Sequence, residues 1–124
     1  MTNSLLHVGL QISRYDYDNF YCKVLGFVQD RSFELTNDNA MKIFQTEKGA
    51  SVLVGYIPEF QLELFVCQDV LNNSFNHICF ESDRINDIES KVRKSAYRKV
   101  FLEHSGTLFI SDSCNNLFEI KPLK

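Results

Sequence analysis

The chain is 124 residues long, 44% hydrophobic and 23% charged, with eleven phenylalanines and a formal net charge of -3. A chain of this length buries roughly two thirds of its unfolded surface and folds without staples, and its composition argues for a packed core rather than disorder. No long run of one charge sign is present, which weakens any case for sequence-independent nucleic-acid binding through a basic face; the cluster Lys91, Arg93, Lys94, Arg98 and Lys99 reads as the solvated side of a helix and the turn after it.

In chain order, Leu5 to Ser13 alternates Leu6, Val8, Leu10 and Ile12 with His7, Gly9, Gln11 and Ser13, the period of a half-buried strand. Tyr17, Phe20, Tyr21, Val24 and Leu25 then recur at helical spacing, with Asp16 or Asp18 in the first turn and Gly26 as a left-handed stop. Phe27 to Leu35 is expected as a strand, Thr36 to Asn39 as a turn that caps a short helix over Ala40 to Phe44, and Ser51 to Ile57 and Phe60 to Cys67 as strands joined at Pro58-Glu59. Gln68 to Ser74 reads as a linker.

The second half repeats the order. Asn76 to Ser82 is expected as a strand and Arg84 to Ser95 as a helix with Ser82 or Asp83 at its N-cap; strands follow over Lys99 to Glu103, Thr107 to Ser111 and Leu117 to Pro122. The opening strands match in detail, because Ser4-Leu-Leu-His7-Val8 is echoed by Ser74-Phe-Asn-His77-Ile78. The closing strands match too, in Leu62-Glu63-Leu64 and Phe118-Glu119-Ile120. The first half carries extra residues between its histidine and its glutamate, which the helix near Asn37 to Phe44 supplies.

The expected fold is therefore α+β: one domain over residues 1–124, made of two tandem βαβββ modules (about 4–67 and 75–122) that form a curled mixed sheet around a cleft, with the helices outside. One histidine and one glutamate per half occupy equivalent positions. Packed with pseudo-twofold symmetry, His7, Glu63, His77 and Glu119 would present two imidazoles and two carboxylates to one divalent ion: nickel, zinc, cobalt, manganese or iron. His104, at a turn, reads as structural. The four cysteines have no Cys-x-x-Cys pair, and with no signal peptide or apolar run of about 18 residues the expectation is a cytoplasmic protein with free thiols and no membrane association.

The segments His7-Val8-Gly9-Leu10, Phe20-Tyr21-Cys22-Lys23-Val24-Leu25-Gly26-Phe27, Leu62-Glu63-Leu64-Phe65, Asn76-His77-Ile78-Cys79-Phe80-Glu81 and Leu117-Phe118-Glu119-Ile120 resemble the vicinal oxygen chelate superfamily. That superfamily includes glyoxalase I, methylmalonyl-CoA epimerase, extradiol dioxygenases, and fosfomycin- and bleomycin-resistance proteins. The resemblance implies a homodimer that acts on a small molecule, with metal ligands at His7, Glu63, His77 and Glu119. It further implies a lyase or isomerase in which the metal stabilises an enediolate while Glu119, or Glu63, moves the proton, Glu119 being preferred. Gln11 stands where glyoxalases carry an arginine for glutathione, so a glutathione adduct is not expected. Two alternatives accompany this reading: an iron dioxygenase using His7, His77 and Glu119, and a metal-free resistance protein in which Tyr15, Phe44 or Tyr56 stacks on its ligand.

Overall fold

A computed structural model describes residues 5–68 and 76–123. Ser4, Ser74 and all of the expected linker after Gln68 lie outside the described residues. The elements are β1 (Val8–Ile12), α1 (Arg14–Asp16) continuing into a π-helical stretch (Tyr17–Cys22), β2 (Val28–Leu35), α2 (Asn37–Phe44), β3 (Ala50–Tyr56) and β4 (Gln61–Val66). The second half contributes β5 (His77–Ser82), α3 (Ile85–Arg93), β6 (Arg98–Leu102), β7 (Thr107–Ser111) and β8 (Leu117–Pro122).

Each half forms its own four-stranded mixed sheet, in the orders β1-β4-β3-β2 and β5-β8-β7-β6. The two βαβββ modules are thus present, and neither sheet closes into a barrel. In each, the first strand runs parallel to the last, a pairing that needs a helical crossover, and the remaining pairs are antiparallel. A bulge between Gln29 and Arg31 interrupts β2.

Strand alternation sends one set of side chains inward. Ile12, Leu62 and Leu64 of the first sheet join Leu108, Ile110, Phe118 and Ile120 of the second in a single core, with Phe20, Tyr21, Ile85, Ile88 and Val92 supplied by the helices. Phe20 touches both Tyr97 and Phe118, at ring-centroid distances of 4.9 and 5.9 Å, so the first module's helix packs directly on the second module.

Local details differ from the sequence expectations at the helix ends. The first helix is capped by Ser13, whose hydroxyl accepts from the Asp16 backbone N–H, which frees the Asp16 carboxylate for other partners. Thr36 caps α2, which begins three residues earlier than expected. Helix α3 has Arg84 at its N-cap without a side-chain cap; Ser82 accepts from the Arg84 N–H instead. Gly26 does take a left-handed conformation, with φ of 78°.

A second tie joins the modules. The Arg84 guanidinium forks onto Glu59, with Nε and Nη2 donating at 2.9 and 2.8 Å, and Ser82 Oγ donates to the same carboxylate at 2.6 Å. Burial alone would raise the Glu59 carboxyl, but the hydrogen bonds from Arg84 and Ser82 and the guanidinium charge outweigh it and hold the group below its ordinary 4.5. A carboxyl depressed on folding contributes stability above its unfolded pKa and loses it as pH falls through the lower folded value. Urea unfolding should therefore show wild type more stable than Glu59→Gln at neutral pH, with the gap closing as pH drops below 4.5.

Candidate metal centre

Parallel pairing sets His7 beside Glu63. The β1/β4 register places Gly9 opposite Glu63, so the glutamate stands across from the residue two beyond the histidine. The β5/β8 register repeats this, with Cys79 opposite Glu119 and His77 two residues before. His7 Nε2 lies 3.4 Å from Glu63 Oε1, and His77 Nε2 lies 3.2 Å from Glu119 Oε1. The imidazoles are 43% and 42% exposed and the carboxylates 16% and 19%, so both pairs are open to a ligand at one end and supported at the other.

Both pairs project from the sheet face opposite the core. Across the first sheet that face presents Gly9, Glu63, Val54 and Arg31 in one row and Gln11, Phe65, Val52 and Phe33 in the next. Across the second it presents Cys79, Glu119, Phe109 and Val100. Phe33, Tyr56 and Val100 on these faces are exposed, although they are large and apolar. Each pair also sits at a sheet edge, because β1 and β5 are the first strands in their orders.

The donor chemistry fits a divalent ion. Two donors held about 2.1 Å from one cation stand about 3.0–3.4 Å apart, for angles between octahedral and tetrahedral. Both His–Glu separations fall in that range. Within the single chain, however, the structure brings the four residues together as two pairs and not as one group. Among the described residues, the one set of three or more metal-type donors within reach of each other is Asp16, Asp112 and Cys114.

That set is already satisfied by protein donors. Asp16 accepts from Tyr97 Oη at 2.8 Å and from the Ser113 backbone N–H and hydroxyl at 3.0 and 2.6 Å. Asp112 accepts from Tyr21 Oη, the Asn116 amide and two backbone N–H groups of its own turn. Burial pushes the Asp112 carboxyl up despite those bonds, and burial together with the bond to Asp16 pushes Tyr97 well up. These residues fix the 112–116 turn to the first helix. Sequence reading placed Asp16 only as a helix-start residue; the one signal for more was the Asp112 to Asn116 run of side chains that bond backbone.

His104 is exposed in the turn between β6 and β7. Lys121 Nζ lies 3.4 Å from Glu119 Oε2, and the Cys79 thiol is pushed up by burial and by the Glu119 charge. A groove of about 740 Å³ between the first helix and the end of α3 holds Lys23, Lys91, Lys94 and Arg98 together with the buried Asp112, and neither His–Glu pair lines it.

No known sequence family matches the chain, and none of the curated proteins matches it. Solved structures do. Fosfomycin resistance protein FosX of Mesorhizobium loti is similar with a TM-score of 0.70 at 14% identity, over 98% of this chain and 92% of its own. The FosX of Listeria monocytogenes, complexed with Mn(II) and sulfate, gives 0.72 at 14% identity, over 100% and 95%. A glyoxalase family protein of Bacillus anthracis gives 0.69 at 13% identity, over 100% and 98%. The chain shares its fold with these proteins. No described helix is long and apolar enough to cross a membrane.

Asp16→Ala strips the acceptor from three donors and should cost about 3 kcal/mol in chemical denaturation.

Proposed function

We propose that this protein is a metal-dependent enzyme that moves a proton beside a carbonyl of a small molecule, and that it works as a homodimer whose metal centre joins His7 and Glu63 of one copy to His77 and Glu119 of the other. The observation that carries the reading is the register: two identical His–Glu pairs, each with donors at the spacing of one coordination shell, on open faces at strand edges. A second copy would cover the exposed Phe33, Tyr56 and Val100 and complete a shell that a single chain leaves in halves.

A bound divalent ion would supply Lewis-acid polarisation of a substrate oxygen. The chain's own contribution is a carboxylate to carry the proton. Glu119, preferred from sequence, and Glu63 are the two candidates; Lys121 Nζ already lies 3.4 Å from Glu119 Oε2, whereas no Lys or Arg stands within ion-pair distance of Glu63 among the described residues, so we assign the proton to Glu63. The imidazoles orient both carboxylates, and the apolar side chains around them limit water.

Three measurements test this. Untagged protein should carry about one divalent ion per chain, lost in His7→Ala and in His77→Ala; mixing and re-associating the two variants should return about a quarter of wild-type occupancy, since only mixed dimers hold one intact centre. Recovery of no occupancy would place the centre within one chain. Metal-loaded protein in D2O should exchange the proton beside the carbonyl of a 2-oxo acid or hemithioacetal, with Glu63→Gln slower by about 100-fold or more.

A second reading has its own support. Neighbouring FosX proteins are fosfomycin resistance proteins, and an E126Q variant of one is complexed with Mn(II) and 1S,2S-dihydroxypropylphosphonic acid. Formation of that diol from fosfomycin by the Mn(II)-loaded protein, without proton exchange, would favour epoxide opening. A protein that takes up no metal even on reconstitution would be a binding protein of the resistance type.

A further inference from the structure

The face that carries His7 and Glu63 continues into a hollow. Along the strands, the row Gln11, Phe65 and Val52 lies about 7 Å beyond the row of Glu63, and there a cavity of about 380 Å³ opens between the sheet and the end of α2. Gly9, Gln11, Phe44, Lys48, Phe65 and Cys67 line it. Its volume is within the ordinary range for small-molecule sites.

Local chemistry builds this hollow with some care. The Phe44 ring meets Phe65 edge-on, with centroids 5.4 Å apart, which makes an aromatic wall. Helix α2 ends at Gln45 in a left-handed conformation, which turns the chain back so that Thr46 and Lys48 reach the cavity. That return is pinned, because the Gly49 N–H donates to Asn37 Oδ1 at 2.8 Å, and a Cβ on Gly49 would stand 1.8 Å from the Leu35 carbonyl oxygen. Lys48 is the single charged side chain lining the cavity, and among the described residues no carboxylate lies within ion-pair distance of it. Gly9 keeps the way open toward Glu63: a Cβ there already meets the Phe65 ring at 3.2 Å, so any larger side chain would stand in the passage.

We infer that this hollow takes the tail of the substrate and that the substrate is a small aryl-bearing acid, its ring against Phe44 and Phe65 and its carboxylate on the Lys48 ammonium. The inference rests on the reading of His7 and Glu63 as half of the reacting centre. An apolar wall with one unneutralised cation at its rim selects a monoanion with an apolar body. A neutral analogue loses the ion pair, and a dianion leaves one charge unmatched.

The test uses the full-length protein in EDTA, so that it does not depend on metal binding, with 3-phenylpropanoate and 3-phenylpropanamide as probes titrated by NMR. Wild type should bind the carboxylate about fivefold more tightly than the amide, the upper end for an exposed ion pair. Lys48→Met should abolish that preference and leave the amide affinity unchanged, while Gly9→Leu, checked for an intact fold by circular dichroism, should weaken both probes tenfold or more. Equal affinities in wild type, no binding of either probe, an undiminished preference in Lys48→Met, or unaltered binding in Gly9→Leu would each overturn the inference. Metal uptake measured separately distinguishes the two readings: probe selectivity without metal uptake removes the metal centre and keeps the pocket, and metal uptake without selectivity does the reverse.

Discussion

The parallel pairing of the first strand of each module with its last strand is the constraint on which everything else depends. Side chains alternate between faces, so one register fixes both what is buried and what is offered to solvent. With Leu62 opposite Val8 and Leu64 opposite Leu10, the apolar set faces the helices, and Glu63 is committed to the outer face beside His7. A slip of one residue would bury the glutamate and expose the leucines. The second sheet obeys the same condition through Phe118, Ile120 and Glu119. Core and candidate centre are therefore specified together, and neither can drift without the other.

The modules are held together by a different kind of interaction. Apolar contact through Phe20, Tyr21 and Phe118 is non-directional, whereas the carboxylates of Asp16, Asp112 and Glu59 are each held by several aimed donors. Those bonds fix how one sheet sits relative to the other. Asn116 adds to this by donating to the Gln11 carbonyl of β1, the strand that follows His7. A buried carboxylate that loses its donors is costly, so the relative placement of the two His–Glu faces is enforced by polar groups that themselves take no part in the proposed chemistry.

The periodic parts of this design were legible in the sequence. Alternation at Leu6 to Ile12 and at Gln61 to Val66, helical spacing at Tyr17 to Leu25, and the repeat of a histidine strand and a glutamate strand gave the modules and the equivalent positions of His7 and His77 and of Glu63 and Glu119. What pattern could not give is whatever depends on long-range approach. Asp16 meets Ser113 and Tyr97 across more than eighty residues, and Arg84 meets Glu59 across 25. Nothing local marks such partners. The separation of the four candidate residues into two pairs was hidden for the same reason, since a linear repeat specifies equivalent positions and not the distance between them. Gly49, unremarkable in the sequence, proves to sit against backbone where no side chain fits.

The bulge in β2 bears on how far association can go. Strand edges are templates for further strands, and a chain with several open edges risks growing without limit. Here the outer edge of the first sheet is spoiled by the extra residue between Gln29 and Arg31 and by the exposed Asp30, Arg31 and Glu34, and the outer edge of the second begins with Arg98 and Lys99. The inner edges, β1 and β5, carry the histidines. In the dimer proposed above, the margins left outward would be these charged or broken ones. The irregularity in a strand far from any proposed chemistry thus works against strand-to-strand growth through that margin.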